Sequence, residues 1–382
     1  MNAPVNPGLA SSPGLATSPG KAISSSLARI RAENVGSLMR PPYLREAYAR
    51  AISGEIGAGG LRAAQDEAIR CVLAHQQVLD LPVVTDGEFR RSNFQESFAC
   101  SVSGFEASGQ RDPAHLPVLN RQRAVAPLEL VRNVPLDEFQ AAREWTDRPV
   151  KVTLIGPDRI FQRFAWEESA DVYPDREAFI ADVVRIQRQM VQQLVAAGCR
   201  YIQLDDPSYT AYVDETSLEQ MRSRGEDPAA MMTRLIEAEN DVIAGFEGVV
   251  FSSHICRGGG WPPHRFGAYD AIAEQLFASL GHTRLLLEYH DSDAAGSFEL
   301  LRYVPRGKIV VLGLLDQRIP DLEGADALRR KIDDASHYLP LEQLAISPRC
   351  GFAADMGASR MSEDDQWRKL ERMQEIATAV WG

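Results

Sequence analysis

Val249-Val250-Phe251-Ser252-Ser253-His254-Ile255-Cys256 starts as a short apolar run and closes on two side chains that bind metals. A run of this length is too short for a helix and reads as a strand of a parallel sheet, buried on both faces. Seven further runs of the same kind flank it: Glu33–Ser37, Pro82–Asp86, Val150–Ile155, Tyr201–Asp205, Leu285–Tyr289, Ile309–Leu314 and Leu344–Ser347. Longer amphipathic stretches lie between them, among them Arg176–Ala197, Ser217–Phe246, Ala325–Tyr338 and Ser362–Trp381. Each parallel strand needs a crossover helix to return, so eight strands alternating with helices predict an α/β fold, a (β/α)8 TIM barrel in a single domain. An open doubly wound sheet is the alternative. No G-x-G-x-x-G follows any of these strands, which removes that fold's best-known ligand signature.

One interval is irregular. Between the second and third runs lies far more chain than one helix requires, so residues 89–148 read as an insertion over one end of the barrel, either a substrate lid or a decorated surface loop. Residues 1–30 are rich in Ser, Ala, Gly and Pro, with Lys21 and Arg29 their only charged side chains. They lack a basic start and an apolar core, so no secretory signal is expected, and they predict a disordered arm before a barrel of residues 31–382.

The whole chain of 382 residues carries a formal net charge of −12, a field that repels nucleic acid and favours a small-molecule substrate. No apolar run is long enough to span a bilayer. Five cysteines without framework spacing point to a reducing compartment, and hence to the cytoplasm. Self-association is left open.

A barrel carries its chemistry at the C-terminal ends of its strands. His254 and Cys256 are two residues apart, so an extended backbone sends both to one face. Glu288 ends the sixth strand and Cys350 follows the eighth. Nitrogen, sulfur and carboxylate ligands of this mixture suit a tetrahedral zinc ion, and four candidates converging on one barrel mouth outweigh the blander reading of each alone. His264, His282 and His290 are possible substitutes, with His290 the nearest to Glu288. Cys71 and Cys199 read as core or structural positions, and Cys100 is undecided. Coordination deprotonates a thiol whose free pKa is about 8.5, so the chemistry expected is alkyl transfer to sulfur.

At these residues the sequence resembles the cobalamin-independent methionine synthase family, in its catalytic C-terminal barrel, from Asn34-Val35-Gly36-Ser37 to the final helix. The resemblance implies that His254, Cys256, Glu288 and Cys350 hold zinc. It also implies that Ser37, Glu88 and Asp205 hold homocysteine, with Asp206 where the family has a second acid. The implied reaction passes a methyl group, from a methyltetrahydrofolate or another donor, to the homocysteine thiol to form methionine.

Two positions depart from the family pattern. Arg318, in Asp316-Gln317-Arg318-Ile319-Pro320, stands where the family has a proton-donating histidine, and an arginine cannot act as a general acid at ordinary pH. Arg163 stands where a tryptophan packs on folate. With no separate N-terminal barrel expected, the single-barrel branch is the better match. A second reading keeps the zinc and changes the electrophile: epoxide opening by coenzyme M, whose sulfonate Arg257, Arg318 or Arg349 would bind.

Overall fold

The computed structural model describes residues 25–107, 122–256, 269–289, 297–354, 356 and 359–382. An antiparallel hairpin pairs β1 (Val102–Ala107) with β2 (Gln122–Leu130). Six parallel strands then follow in chain order: β3 (Lys151–Ile155), β4 (Tyr201–Asp205), β5 (Val250–Ile255), β6 (Arg284–Glu288), β7 (Ile309–Leu315) and β8 (Leu344–Pro348). Their residues are buried almost throughout, as expected of strands covered by side chains inside and helices outside.

The first two barrel positions differ from the sequence expectation. Instead of regular strands, each makes a single parallel bridge, Ala32 with Ile346 of β8 and Val84 with Val150 beside β3. Side chains replace the ladder between them. The Gln76 carboxamide accepts from Thr85 N at 3.1 Å, donates to Thr85 O at 2.8 Å, and accepts from Asn34 Nδ2 at 2.7 Å. Thr85 Oγ1 donates to Gly36 O at 2.7 Å and Leu38 N to Gly87 O at 3.1 Å. The (β/α)8 architecture is retained, with two positions held by side-chain amides and turns.

Charge fastens the N-terminal face of the barrel. Lys151, Tyr201 and Arg284 are the first residues of β3, β4 and β6, and all three reach Glu33. Lys151 Nζ and Tyr201 OH donate to Glu33 Oε2 at 2.9 and 2.6 Å, and Arg284 donates to Oε1 at 2.7 and 3.0 Å. Although burial opposes ionisation, the two cations hold Glu33 down to about 2. Leu27 and Ile30 pack beside this network against Val83, Tyr201 and Val250. The folded body therefore begins before residue 31, while residues 1–24 of the expected arm lie outside the described chain.

The helix expected over Ser217–Phe246 is two helices, Glu215–Ser223 and Pro228–Ile243. Gly225 takes a left-handed φ of 72°, Pro228 cannot continue the first helix, and Asp227 caps the second through Ala229 N and Ala230 N. The inserted segment folds as a short helix (Glu96–Ala99), the β1–β2 hairpin, and the helix Val134–Arg143. Among the described residues, no helix is long and apolar enough to cross a membrane.

Candidate metal centre

β5 ends at Ile255 and Cys256 follows directly, so strand alternation carries His254 and Cys256 to the same mouth. β8 ends at Pro348, and the turn after it brings Cys350 over that mouth. One ligand atom from each of His254, Cys256 and Cys350 lies within 4.8 Å of the others, and all three residues are buried. The two sulfurs are 3.6 Å apart, too far for a disulfide. Two zinc–sulfur bonds of about 2.3 Å at a tetrahedral angle would set them about 3.8 Å apart. The donor set and its spacing fit a tetrahedral soft-metal site.

His254 is oriented for such a role. Its Nδ1 lies 3.1 Å from Asp205 Oδ1, and Nε2 is 3.4 Å from the carbonyl of Arg349. A carboxylate only accepts, so Nδ1 carries a proton, and Nε2 is the ring nitrogen that could hold a metal. Within the group itself, hydrogen bonding and charge favour an imidazolium beside a thiolate. Hydrogen bonding from Cys350 leads the effects that bring Cys256 down to about 5, against burial and with help from His254. Cys350 is driven well above the usual thiol range in return. Burial works against an imidazolium, yet Cys256 and Asp205 outweigh it and raise His254 to about 10.

Glu288, the fourth expected ligand, is buried at the end of β6 but is not part of the compact group. Its charge acts on both thiols and on Arg318. Of the substitutes, His282 is buried 3.5 Å from Glu239 and is not part of the group either, and His264 and His290 lie outside the described residues. Arg257 does too.

A pocket of about 410 Å³ opens on the donors and is lined by Ser37, Glu88, Asp205, His254, Cys256 and Cys350. Two glycines make it possible. A Cβ on Gly36 would lie 2.7 Å from Glu88 Oε1, and one on Gly351 would collide with Ser37 Oγ. Glu88 itself takes a left-handed φ of 59°, with its N–H bonded to Asp86 Oδ1 at 2.9 Å. Burial pushes its carboxyl up, with Arg91 pulling down and Asp205 and Asp86 pushing further up.

Asp205 does more than face the pocket: its Oδ1 accepts from Gln203 Nε2 at 2.7 Å as well as meeting His254. Asp206 turns behind the pocket, accepting from Asp158 N and Ser208 N. Arg318 is bound to Asp316 through Nε and a terminal nitrogen at 2.8 and 2.7 Å, and Arg349 reaches the same carboxylate. Although burial raises it, Asp316 is held down to about 2 by these two arginines.

Sequence reasoning missed Phe94 in the pocket wall and the Arg91–Glu138–Thr153 network behind Glu88. No spacing signals these contacts. The Asp205–His254 pair was available from the register of two strand ends. Cys71, expected at a core or structural position, is exposed, as is Cys100, while Cys199 is buried.

The fold and site define a barrel with a nitrogen–sulfur–sulfur donor set at its mouth. Residues 31–259 match the sequence model of the cobalamin-independent synthase catalytic domain, and the chain belongs to that family. YxjG of Bacillus subtilis, an uncharacterized protein, is 33% identical, the match covering 92% of this chain and 94% of that protein. A methionine synthase of Pyrococcus abyssi is 28% identical over 83% of this chain and 85% of its own. A Listeria monocytogenes protein proposed to be a vitamin B12-independent methionine synthase superposes with a TM-score of 0.73 at 27% identity, covering 92% of this chain and 98% of that one.

Proposed function

We propose that the protein is a zinc-dependent methyltransferase that methylates the thiol of homocysteine to give methionine. The observation that carries this reading is the joining of the three soft donors and two carboxylates, Glu88 and Asp205, in one pocket. His254, Cys256 and Cys350 would hold the metal, with Glu288 or the substrate sulfur completing its coordination. Bound there, zinc supplies the positive charge that keeps a substrate thiol deprotonated. Glu88 and Asp205 suit the substrate ammonium, and the backbone beside Ser37 suits its carboxylate. The pocket aligns the acceptor sulfur with an incoming methyl group; a sulfur–carbon bond forms as the donor–carbon bond breaks, its electron pair leaving with the donor. A cytoplasmic setting is consistent with free buried thiols.

Epoxide opening by coenzyme M draws less support. Two of its candidate sulfonate partners, Arg318 and Arg349, share Asp316, and the pocket's own carboxylates would repel a sulfonate.

A panel assay tests the assignment. Homocysteine with methylfolate, sulfonium and corrinoid methyl donors should give methionine with at least one of them. Cobalt-substituted protein should change its absorption spectrum when homocysteine is added. An alkylated coenzyme M product, with no methionine from any donor, would reverse the assignment.

A further inference from the structure

The inserted segment reaches the pocket through a buried chain of polar contacts. Arg91, three residues after Glu88, donates Nε to both oxygens of Glu138 at 3.0 Å and a terminal nitrogen to Glu138 Oε2 at 2.6 Å. Glu138 stands on the helix Val134–Arg143 of the insertion. The remaining Arg91 contacts go to Thr153, at 3.0 Å to its hydroxyl and 2.9 Å to its carbonyl. That hydroxyl then donates to Glu88 Oε1 at 2.8 Å. Arg91 itself pairs with Glu88 only at 3.9 Å, an ion pair beyond hydrogen-bond reach.

The charges in this cluster do not balance. Two carboxylates, Glu88 and Glu138, share one guanidinium, and that guanidinium is held two-handed by Glu138. Asp86, bonded to Glu88 N, adds to the negative side. Lys151 also lines the cavity behind, but its ammonium is bound to Glu33 and Asn34 O. Glu88, the carboxylate that lines the pocket, keeps only the more distant share of Arg91, at 3.9 Å.

We propose that Glu138 is a positioning residue: by binding Arg91 it holds the guanidinium out of hydrogen-bond reach of Glu88, so that Glu88 keeps an oxygen for the substrate ammonium. This rests on the reading of the pocket as a homocysteine site. The inserted segment is then a selectivity element for the cationic end of the thiol substrate. Without the Glu138 charge, Arg91 swings onto Glu88 and takes the place of the ammonium.

The test compares homocysteine with its des-amino analogue, the same chain with hydrogen in place of the ammonium, binding to full-length zinc-loaded protein by calorimetry. Glu138→Gln should weaken homocysteine by about tenfold or more, leave the analogue unchanged, and leave zinc content unchanged. Glu138→Asp should retain part of the preference. Equal weakening of both ligands, or of neither, overturns the proposal. If Glu138→Gln does not fold, the Asp variant carries the test: a rise of about threefold confined to homocysteine supports the proposal, and an unchanged constant overturns it. A wild-type protein indifferent to the ammonium removes both this inference and the homocysteine reading. A wild type that discriminates, with variants that discriminate equally, removes this inference alone.

Discussion

Asp205 and His254 are register partners on the adjacent parallel strands β4 and β5, and Asp205 Oδ1 lies 3.1 Å from His254 Nδ1. The pairing occupies Nδ1 and leaves Nε2, 3.4 Å from the carbonyl of Arg349, as the ring nitrogen open to another partner. One strand thereby supplies the candidate ligand and its neighbour supplies the group that orients it.

Asp205→Asn should therefore weaken zinc by roughly 10–100-fold, because an amide no longer enforces the tautomer. Competition with a chromogenic chelator measures this. Cys256→Ser and Cys350→Ser should go further and remove the single stoichiometric metal, as read by elemental analysis. Full zinc retention in both serine variants would dismiss the proposed centre.

Zinc uptake should release protons. Near neutral pH, His254, raised to about 10, and Cys350, raised well above its ordinary value, both carry a proton in the metal-free chain. Cys256, at about 5, has already lost its own. Binding should expel about two protons, so affinity should rise by about a hundredfold per pH unit through this range. Calorimetry in buffers of different ionisation enthalpy counts them. An affinity flat between neutral and mildly alkaline pH would contradict the ion-pair description.

At the other end of the barrel, Glu33→Gln should cost about 3–5 kcal/mol, because Lys151 and Arg284 remain buried without their anion. The pH dependence follows from the lowered Glu33 pKa. Its contribution is complete above the ordinary value of 4.5 and is lost as pH falls toward about 2. Denaturant unfolding of both proteins across that acid range should show the wild-type advantage shrinking. A constant gap would mean that Glu33 is not the titrating group.

Much of the barrel was legible because parallel strands buried on both faces leave short apolar runs, and all six runs from Val150 onward became strands. The first two runs misled. Glu33, Asn34 and Thr85 spend their polar groups on Lys151, Arg284 and Gln76, most of them contacts between residues far apart in sequence. The helix break at Gly225 has a local signal in Pro228 and its Asp227 cap.

The sequence by itself determined the soft donors and their strand ends, because alternation along a strand and the position of a residue just past it are local properties. It also determined the family, since His254, Cys256, Glu288 and Cys350 sit in a linear pattern. Only the tertiary structure decided which of them close into one group, leaving Glu288 set back from the three. It alone turned Asp205 toward His254 and Asp206 away from the pocket. It alone joined the insertion to Glu88 through Arg91 and Glu138. These outcomes depend on distances between residues many positions apart, which packing and charge pairing set and which no spacing along the chain encodes.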